Sequence, residues 1–178
     1  YVIVPAGISS FEISIPTIDD LVVESSETVV LELGGETGTA TVLDNDSTKL
    51  SVVDAGDVIE GTDAIFTVLL SNPVQEAVVV NLKSTTNDSY TAEDVDLGTM
   101  VVTYVDTHGQ TQTLDMAPNG DVTIPPGVAE IKVAVPTKLD NVHEGDESFG
   151  LTVTEIGSVT SNGIATGNAN IVDSDPAP

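Results

Sequence analysis

The chain has 178 residues, of which 29 are acidic and only four are basic, so its formal net charge is −25 at pH 7. This balance argues against nucleic-acid binding, because phosphate contacts require lysine and arginine, and against binding to anionic membrane surfaces. Cysteine is absent and no apolar run reaches about 18 residues, so we expect neither disulfides nor membrane insertion. No signal peptide is visible at Tyr1, and we expect a piece of a longer protein.

Residues 1–47 predict a short series of strands separated by turns. The predicted strands span the first few residues, 10–15, 28–33 and 39–43, with a Pro-Ala-Gly turn, an acidic turn and a Gly-Gly turn between them. A piece this short buries too little surface to fold alone. It must therefore dock on the residues that follow, be completed by another chain or belong to a larger domain. The candidate linker is 44–48.

Residues 48–178 carry a longer series of segments with period-two alternation and no helical periodicity. The predicted strands are 49–54, 63–71, 77–84, 99–106, 110–116, 121–124, 129–135, 147–155 and 165–172. We expect a turn or bulge at 55–62, a polar loop at 85–96 and a hairpin turn at 106–109. Short strands separated by Gly, Pro and Asn turns predict an all-β sandwich, whose core is built from Val, Ile and Leu because aromatic residues make up only 3% of the chain.

An acidic turn, Pro136–Glu147, joins two strongly alternating segments of the chain. Apolar residues alternate before it from Ile131 to Val135 and after it from Phe149 to Val153, so the turn should lie at one end of a sheet. The same stretch occurs at Pro16–Glu27, at an offset of 120 residues, and its flanking segments align as well. An internal repeat of this kind predicts an array of similar units.

The acidic turn concentrates carboxylates that this chain cannot neutralise. Asp140, Glu144, Asp146 and Glu147 lie close together, while the chain has no arginine and four lysines. A hard divalent cation is the simplest counter-charge, and Ca²⁺ accepts six to eight oxygen ligands in loose geometry. The rival interpretation is that acidic turns are solvated and merely aid solubility. The repetition of the turn favours a site, and Ca²⁺ is the expected cofactor.

The order of the motifs resembles the Calx-β repeat. The motifs that carry the resemblance are Ile59-Glu60-Gly61, Leu70-Ser71-Asn72-Pro73, Thr91-Ala92-Glu93-Asp94, Pro125-Pro126-Gly127, the turn from Asp140 to Glu147, and Asp173-Ser174-Asp175. The resemblance implies an all-β, antiparallel Greek-key β-sandwich of the immunoglobulin-like type. It covers 48–178 as a complete repeat with an inserted hairpin near 97–120, and 1–47 as the C-terminal half of a preceding repeat.

The family binds calcium at one end of the sandwich, so the resemblance also implies ligand positions. In the complete repeat they are Glu60, Asp94, Asp140, Glu144, Glu147, Asp173 and Asp175; in the half repeat they are Asp19, Asp20, Glu24, Glu27, Asp44 and Asp46. The sequence departs from the family pattern at Leu139, where a first aspartate of a pair is expected, and at Ser25-Ser26, where Gly-Asp is expected. The number of ions is therefore left open.

The inserted hairpin is similar to the version found in long bacterial RTX adhesins secreted by type I systems. This resemblance implies an extracellular, cell-surface location and a calcium-rigidified structural module, an extender, that serves cell adhesion and biofilm formation. Its partners would be neighbouring repeats of the same chain. The alternative is a calcium-dependent ligand-binding module, in which the hairpin and the calcium end form a pocket for a peptide or a glycan on another cell.

Three other features of the sequence bear on possible sites. Asp54, Asp57 and Asp63 either share an ion with the linker aspartates or are ordinary surface charge. The two histidines have no second histidine or cysteine nearby, so zinc is not expected. The chain has neither cysteine nor a Gly-x-Ser-x-Gly elbow, and carboxylates saturated with calcium make poor general acids, so we do not expect an enzyme.

Overall fold

The computed structural model describes residues 3–87 and 89–176. In these residues the chain forms twelve strands: β1 (Glu27–Leu33), β2 (Glu36–Val42), β3 (Leu50–Val53), β4 (Gly56–Ile59), β5 (Asp63–Leu70), β6 (Val78–Thr85), β7 (Val101–Val105), β8 (Thr111–Leu114), β9 (Asp121–Ile124), β10 (Glu130–Pro136), β11 (Glu147–Ile156) and β12 (Ile164–Val172). The one helical element in this part of the chain is a 3₁₀ turn at Asp94–Asp96. No helix among the described residues is long and apolar enough to span a membrane.

Strands β3 to β12 form two five-stranded sheets that pack face to face. The first sheet has the order β3-β5-β10-β7-β8 and the second has the order β4-β12-β11-β6-β9. All neighbours are antiparallel except β4 and β12, which run parallel. The period-two alternation is confirmed by burial, because Val133 and Val135 on β10 and Leu151 and Val153 on β11 are all 0% exposed. The predicted all-β sandwich is therefore confirmed.

One aromatic pair makes contact between the two sheets in the core. Phe66 of β5 and Phe149 of β11 meet edge to face, with ring centroids 5.8 Å apart and an interplanar angle of 74°. Both rings are 0% exposed, and this geometry is favourable for aromatic quadrupoles. Aliphatic side chains fill the rest of the core, as the low aromatic content predicts.

Loops from different parts of the chain meet at each end of the sandwich. We call one end of the sandwich the distal end. There the β4–β5, β6–β7 and β10–β11 connections lie beside the residues that follow β12. Thr137 N donates to Thr62 O at 3.0 Å, and Glu60 N donates to Val172 O at 3.1 Å. At the opposite, junction end, Gly127 N donates to Val74 O at 2.8 Å. The acidic turn Pro136–Glu147 therefore lies at the distal end, together with three other acidic segments.

The first part of the chain docks on the junction end. Val23 forms a parallel bridge with Val74, in which Val23 N donates to Pro73 O and Gln75 N donates to Val23 O, both at 2.9 Å. On the other side of the same turn, Asn72 Nδ2 donates to Ser47 O at 2.8 Å. The two contacts hold residues 71–75 between the first acidic turn and the linker. The division of the chain at residues 47 and 48 stays a prediction.

The strand predicted at 10–15 is wrong, because this segment has no regular strand structure. Its counterpart β10 is held between β5 and β7, and the described residues 3–47 contain no equivalents of those two strands. Phe11, Ile13 and Ile15 consequently remain 41%, 43% and 51% exposed. The strand predicted at the start of the chain lies partly outside the described residues, and Ile3 and Val4 are not in a strand. Strands β1 and β2 do form, as a separate hairpin.

The turn predicted within 55–62 forms at its end, where Thr62 N donates to Ile59 O at 3.0 Å, but the sequence does not predict the edge strand β4 that Gly56–Ile59 forms. Gly56 has a φ of +73°, which turns the chain away from β3 and lets the next residues pair with Ala169–Val172 of β12. Glycine adopts this backbone conformation without a Cβ clash. The parallel pairing brings Glu60, the residue after β4, to the distal end.

Candidate metal centre

The distal end contains a cleft lined mainly by acidic residues, which we call the distal cleft. Its lining comprises Glu60, Asp96, Lys138, Val142, Glu144, Gly145, Glu147, Ile171 and Asp173. Beside it, one carboxylate oxygen from each of Glu60, Asp140 and Asp175 lies within 4.8 Å of the other two. Three elements that are far apart in sequence thus supply oxygen ligands to one small volume.

Hydrogen bonds from backbone amides hold these carboxylates in place without an ion. Asp140 N donates to Glu60 Oε1 at 3.1 Å, and Asp175 N donates to Asp173 Oδ1 at 2.8 Å. Gly145 N also donates to Asp173, at 3.1 Å from Oδ2, and the φ of +85° at Gly145 suits a residue without a side chain. The acidic turn is therefore folded around Asp173 and Glu60.

One oxygen of the cluster has no partner. Asp175 Oδ2 is buried and accepts no hydrogen bond from the described residues. A buried carboxylate oxygen without a donor or a cation is costly, and the nearest groups here are other carboxylates. An all-oxygen, carboxylate-rich donor set of this kind fits a hard cation such as Ca²⁺.

The basic side chains at the distal cleft leave most of its carboxylates unpaired. Lys138 lines the cleft, but its amine donates to the carbonyl of Val95. His143 pairs through Nδ1 with Asp173 Oδ2. The other cleft carboxylates face one another without a cation among the described residues, so their mutual repulsion is unrelieved.

The pKa values of the cleft show this crowding. Burial, followed by the charge of Asp140, raises the pKa of Glu144. Burial, followed by the charge of Asp96, raises the pKa of Glu147. Asp173 differs, because hydrogen bonds from the backbone N–H groups of Asp175 and Gly145 lower its pKa. The cleft therefore combines one carboxylate that is stabilised by backbone hydrogen bonds with several that resist ionisation.

Lowering the pH should stabilise the calcium-free protein. The folded state holds protons on Glu144, Glu147 and Asp175, whose pKa values are raised, at pH values where the unfolded state has already released them. Stability then falls as pH rises from about 4, the ordinary pKa of a carboxyl group, through the window in which the folded state binds more protons than the unfolded state. Asp173, whose pKa is lowered, contributes stability that is lost only at more acidic pH. Urea unfolding of calcium-free protein across this range checks the sign, and stability that rises with pH throughout the window would contradict it.

A second acidic cleft, which we call the junction cleft, lies in the first part of the chain. Its lining comprises Ile18, Asp19, Asp20, Glu24, Ser25, Glu27, Val42, Leu43, Asp44, Asn45 and Asp46. Glu24 N donates to Asp44 Oδ2 at 2.8 Å, as Glu144 N donates to Asp173 Oδ2 at 3.1 Å in the distal cleft. Hydrogen bonds from the backbone of Glu24 and Asp46 lower the pKa of Asp44. The junction cleft thus repeats the local geometry of the distal cleft.

The structure brings most of the sequence-predicted ligands together. All six residues predicted in the half repeat line the junction cleft: Asp19, Asp20, Glu24, Glu27, Asp44 and Asp46. In the complete repeat, six of the seven lie in the distal cleft or in its three-carboxylate cluster: Glu60, Asp140, Glu144, Glu147, Asp173 and Asp175. The seventh, Asp94, accepts a hydrogen bond from Thr86 Oγ1 and does not line the cleft.

Another acidic residue of the same loop takes the place of Asp94 at the cleft. Asp96 lines it, and the charges of Asp96 and Glu93 both raise the pKa of Glu147. Glu93 N donates to Asp96 Oδ2 at 2.7 Å, which closes the 3₁₀ turn. The signal for this turn was present in the sequence as an acidic residue three positions after another. The interpretation that Asp54, Asp57 and Asp63 share an ion with the linker is wrong, because none of them lines the junction cleft and Asp63 begins β5 at the distal end.

The sequence model of the Calx-beta domain matches residues 2–56 and 44–175 of the chain. The chain belongs to the Calx-beta domain family. Calx-beta domains are calcium-binding modules, and the two clefts of this member offer carboxylate oxygens, which are the ligands that Ca²⁺ prefers. None of the curated proteins matches the sequence.

Solved structures with a similar fold include two Calx domains. The apo form of the Calx CBD1 domain is 19% identical, with a TM-score of 0.46 over 71% of this chain and 99% of that chain. The CBD12 structure from CALX1.2 is also 19% identical, with a TM-score of 0.45 over 71% of this chain and 44% of that one. A family 123 glycoside hydrolase from Clostridium perfringens is 9% identical, with a TM-score of 0.45 over 74% of this chain and 28% of its own.

Proposed function

We propose that this chain is a calcium-binding structural module, stiffened by calcium, of a large bacterial cell-surface adhesin. In this role it acts as an extender that holds neighbouring repeats of the same chain in line and away from the cell, in adhesion and biofilm formation. Secretion by a type I system is part of the proposal. Support comes from the internal repeat, the net charge of −25 and the absence of cysteine, which leaves bound metal as the stabilising link in an extracellular β protein.

The observation that carries the proposal is the position of the junction cleft. Its acidic turn contributes Val23 to the contact with Pro73–Gln75, and its carboxylate Glu24 accepts a hydrogen bond from Gln75 Nε2 at 2.8 Å. Its other wall, Asp44–Asp46, belongs to the linker. An ion in this cleft would bind the turn and the linker at once, and would fix the segments that connect the first part of the chain to the second.

Calcium at the junction should also resist bending. Without the ion, the linker carboxylates repel Asp19 and Asp20. Burial, followed by the charges of Asp44, Asp19 and Asp20, raises the pKa of Asp46. The contact around Val23 is small, and contacts of limited area between units permit relative motion. With the ion, the same carboxylates coordinate one cation, so movement of the linker away from the turn would break coordination bonds.

Small-angle X-ray scattering of the chain with calcium and with EGTA tests this role. We expect a narrower distance distribution with calcium and a broader one with EGTA, because the linker is released from the acidic turn. The double variant D44N/D46N should give the broad distribution in both conditions. The matched control E12Q/E32Q removes two charges outside the junction cleft and should behave as the wild type. Identical curves in calcium and EGTA would contradict a stiffening role.

A second candidate function is the binding of an extended peptide, and one cleft favours it. The pairing of β7 with β10 ends at Thr103 and Lys132, and beyond that point a cleft of about 660 Å³ opens between the β7–β8 hairpin and the Pro125–Glu130 segment. The hairpin turn lies at the junction end, so the alternative pocket that combines the hairpin with the distal calcium end of the same repeat is not formed. Chemical-shift changes confined to this cleft on addition of short, basic, apolar peptides would support the candidate.

A further inference from the structure

Tyr90 links the loop that carries Glu93 and Asp96 to the centre of the second sheet. Its hydroxyl donates to Asn168 Oδ1 at 2.7 Å. In the sheet, Gly150 of β11 is paired with Thr85 of β6 on one side and with Asn168 of β12 on the other. The side chain of Tyr90 therefore starts beyond the end of β6, crosses β11 at Gly150 and ends on β12.

Gly150 provides the space for this crossing. A Cβ built on Gly150 would lie 2.6 Å from Tyr90 Cζ and 2.9 Å from Tyr90 Cε2, which is closer than packed carbon atoms approach. Gly150 is not one of the glycines with a positive φ, so its backbone would accept any residue. Glycine in the middle of a strand weakens the strand and commonly marks the close approach of another group. Here the approaching group is the tyrosine ring.

Asn168 is held in the orientation that accepts this hydrogen bond. Its backbone N donates to Asp54 Oδ1 at 2.7 Å, and its side-chain Nδ2 donates to the same oxygen at 3.3 Å. With the amide nitrogen directed at Asp54, the amide oxygen faces Tyr90, and the hydrogen-bond network fixes the assignment of the two atoms. The acceptor for Tyr90 is therefore preorganised by a residue outside the loop.

The residues that follow Tyr90 are hydrogen-bonded to the start of β11. Thr91 N and Ala92 N donate to Ser148 O at 3.1 Å and 3.0 Å, and Ser148 N donates to Thr91 Oγ1 at 2.9 Å. Ala92 is 1% exposed. Ser148 directly follows Glu147, a residue of the distal cleft. One short segment thus connects Tyr90, the backbone beside Glu147 and the acidic residues of the loop.

We propose that Tyr90 is a positioning residue of the distal calcium site: it holds the loop so that Asp96 already faces the cleft when the ion arrives. This inference rests on the proposed calcium-binding function. Ordering a loop costs conformational entropy at the moment of binding, and a loop ordered in advance avoids that cost. Tyr90 itself does not contact the ion; it acts through the backbone of residues 91–96.

Calcium titration calorimetry on the whole chain tests the role of Tyr90. Tyr90→Phe should weaken calcium binding at the distal cleft by about threefold to tenfold, the effect of losing one hydrogen bond. Gly150→Ala should weaken it at least as much, because the ring must leave its place. The junction cleft is the internal reference, and its affinity should not change. Amide hydrogen exchange in residues 91–96 should accelerate in both variants. The controls are Tyr104→Phe and Gly38→Ala, and Gly38 is a mid-strand glycine with open space around it. Neither control should change hydrogen exchange in this loop.

The outcomes separate the inference from the function on which it rests. No heat of calcium binding by the wild type would overturn the proposed function itself. Calcium binding by the wild type with equal affinity in Tyr90→Phe, and unchanged exchange in residues 91–96, would overturn the positioning role alone. A lower melting midpoint in Gly150→Ala with unchanged calcium affinity would also overturn it, since the ring would then serve packing only.

Discussion

Removal of calcium should lower the thermal midpoint of the chain by about 5–10 °C for each site that the ion fills. A ligand present at about a hundredfold above its Kd stabilises the folded state by about 2.7 kcal/mol, and in a chain of this size about 1 kcal/mol corresponds to roughly 2–4 °C. Relief of the repulsion among Glu60, Asp140 and Asp175 acts in the same direction. Melting in millimolar calcium and again in excess EGTA measures the shift.

Magnesium is the control that separates coordination from screening. Mg²⁺ demands near-octahedral geometry and gives up its water reluctantly, so a carboxylate cleft of loose geometry should respond to it far less than to Ca²⁺. Asp115→Asn removes an exposed carboxylate on the segment after β8 and should leave the shift intact. A midpoint that is the same in calcium and EGTA would mean that the acidic turns are solvated surface charge.

The fold of the second part of the chain follows closely from its sequence because the alternation reports burial directly. The segment from Glu130 to Pro136 alternates between exposed and buried side chains on β10 as predicted, with Ile131, Val133 and Val135 inside. The same pattern at 10–15 predicts a strand that does not form. Alternation records which face of a segment would be buried; it does not record whether the pairing strands are present. The part of 1–47 that the structure describes has no equivalents of β5 and β7, so the strand does not form.

Strand β4 is the opposite case, a strand that forms although the sequence does not predict it. Gly56 and Gly61 read as turn residues, and only four residues separate them. The parallel pairing with Ala169–Val172 is a contact between segments more than a hundred residues apart in sequence, and no local signal encodes it. Local turn chemistry was correct at Gly56, where φ is positive, but the strand between the two glycines depends on tertiary pairing.

The candidate site was predicted to a similar extent and for similar reasons. The resemblance to the Calx-β repeat implied the ligand positions as a set, and all of them except Asp94 lie in the two clefts or in the three-carboxylate cluster. Asp94 is two residues from Asp96, and only the 3₁₀ turn decides which of the two faces the cleft. The positioning role proposed for Tyr90 could not be predicted from the sequence, because it depends on the register that brings Gly150 beside Asn168.

Neutralising the distal cluster should have opposite effects on the protein with and without calcium. In the triple variant E60Q/D140N/D175N, each amide keeps an oxygen that can accept the existing backbone hydrogen bonds, such as that from Asp140 N to the residue 60 side chain at 3.1 Å. The three mutually repelling charges within 4.8 Å of one another are removed. We therefore expect a higher midpoint than the wild type in EGTA, and the loss of about 5–10 °C of calcium stabilisation from this site.

The matched variant at the other cleft, D19N/D20N/D44N, should remove the remaining calcium stabilisation and leave the distal site intact. Its partner measurement is scattering, where only the junction variant should broaden the distance distribution. If the distal triple variant melts lower than the wild type in EGTA, its carboxylates stabilise the fold through hydrogen bonds rather than through an ion. If both triple variants retain the full calcium shift, the ion binds outside the two clefts, and the assignment of ligands fails even though the chain binds calcium.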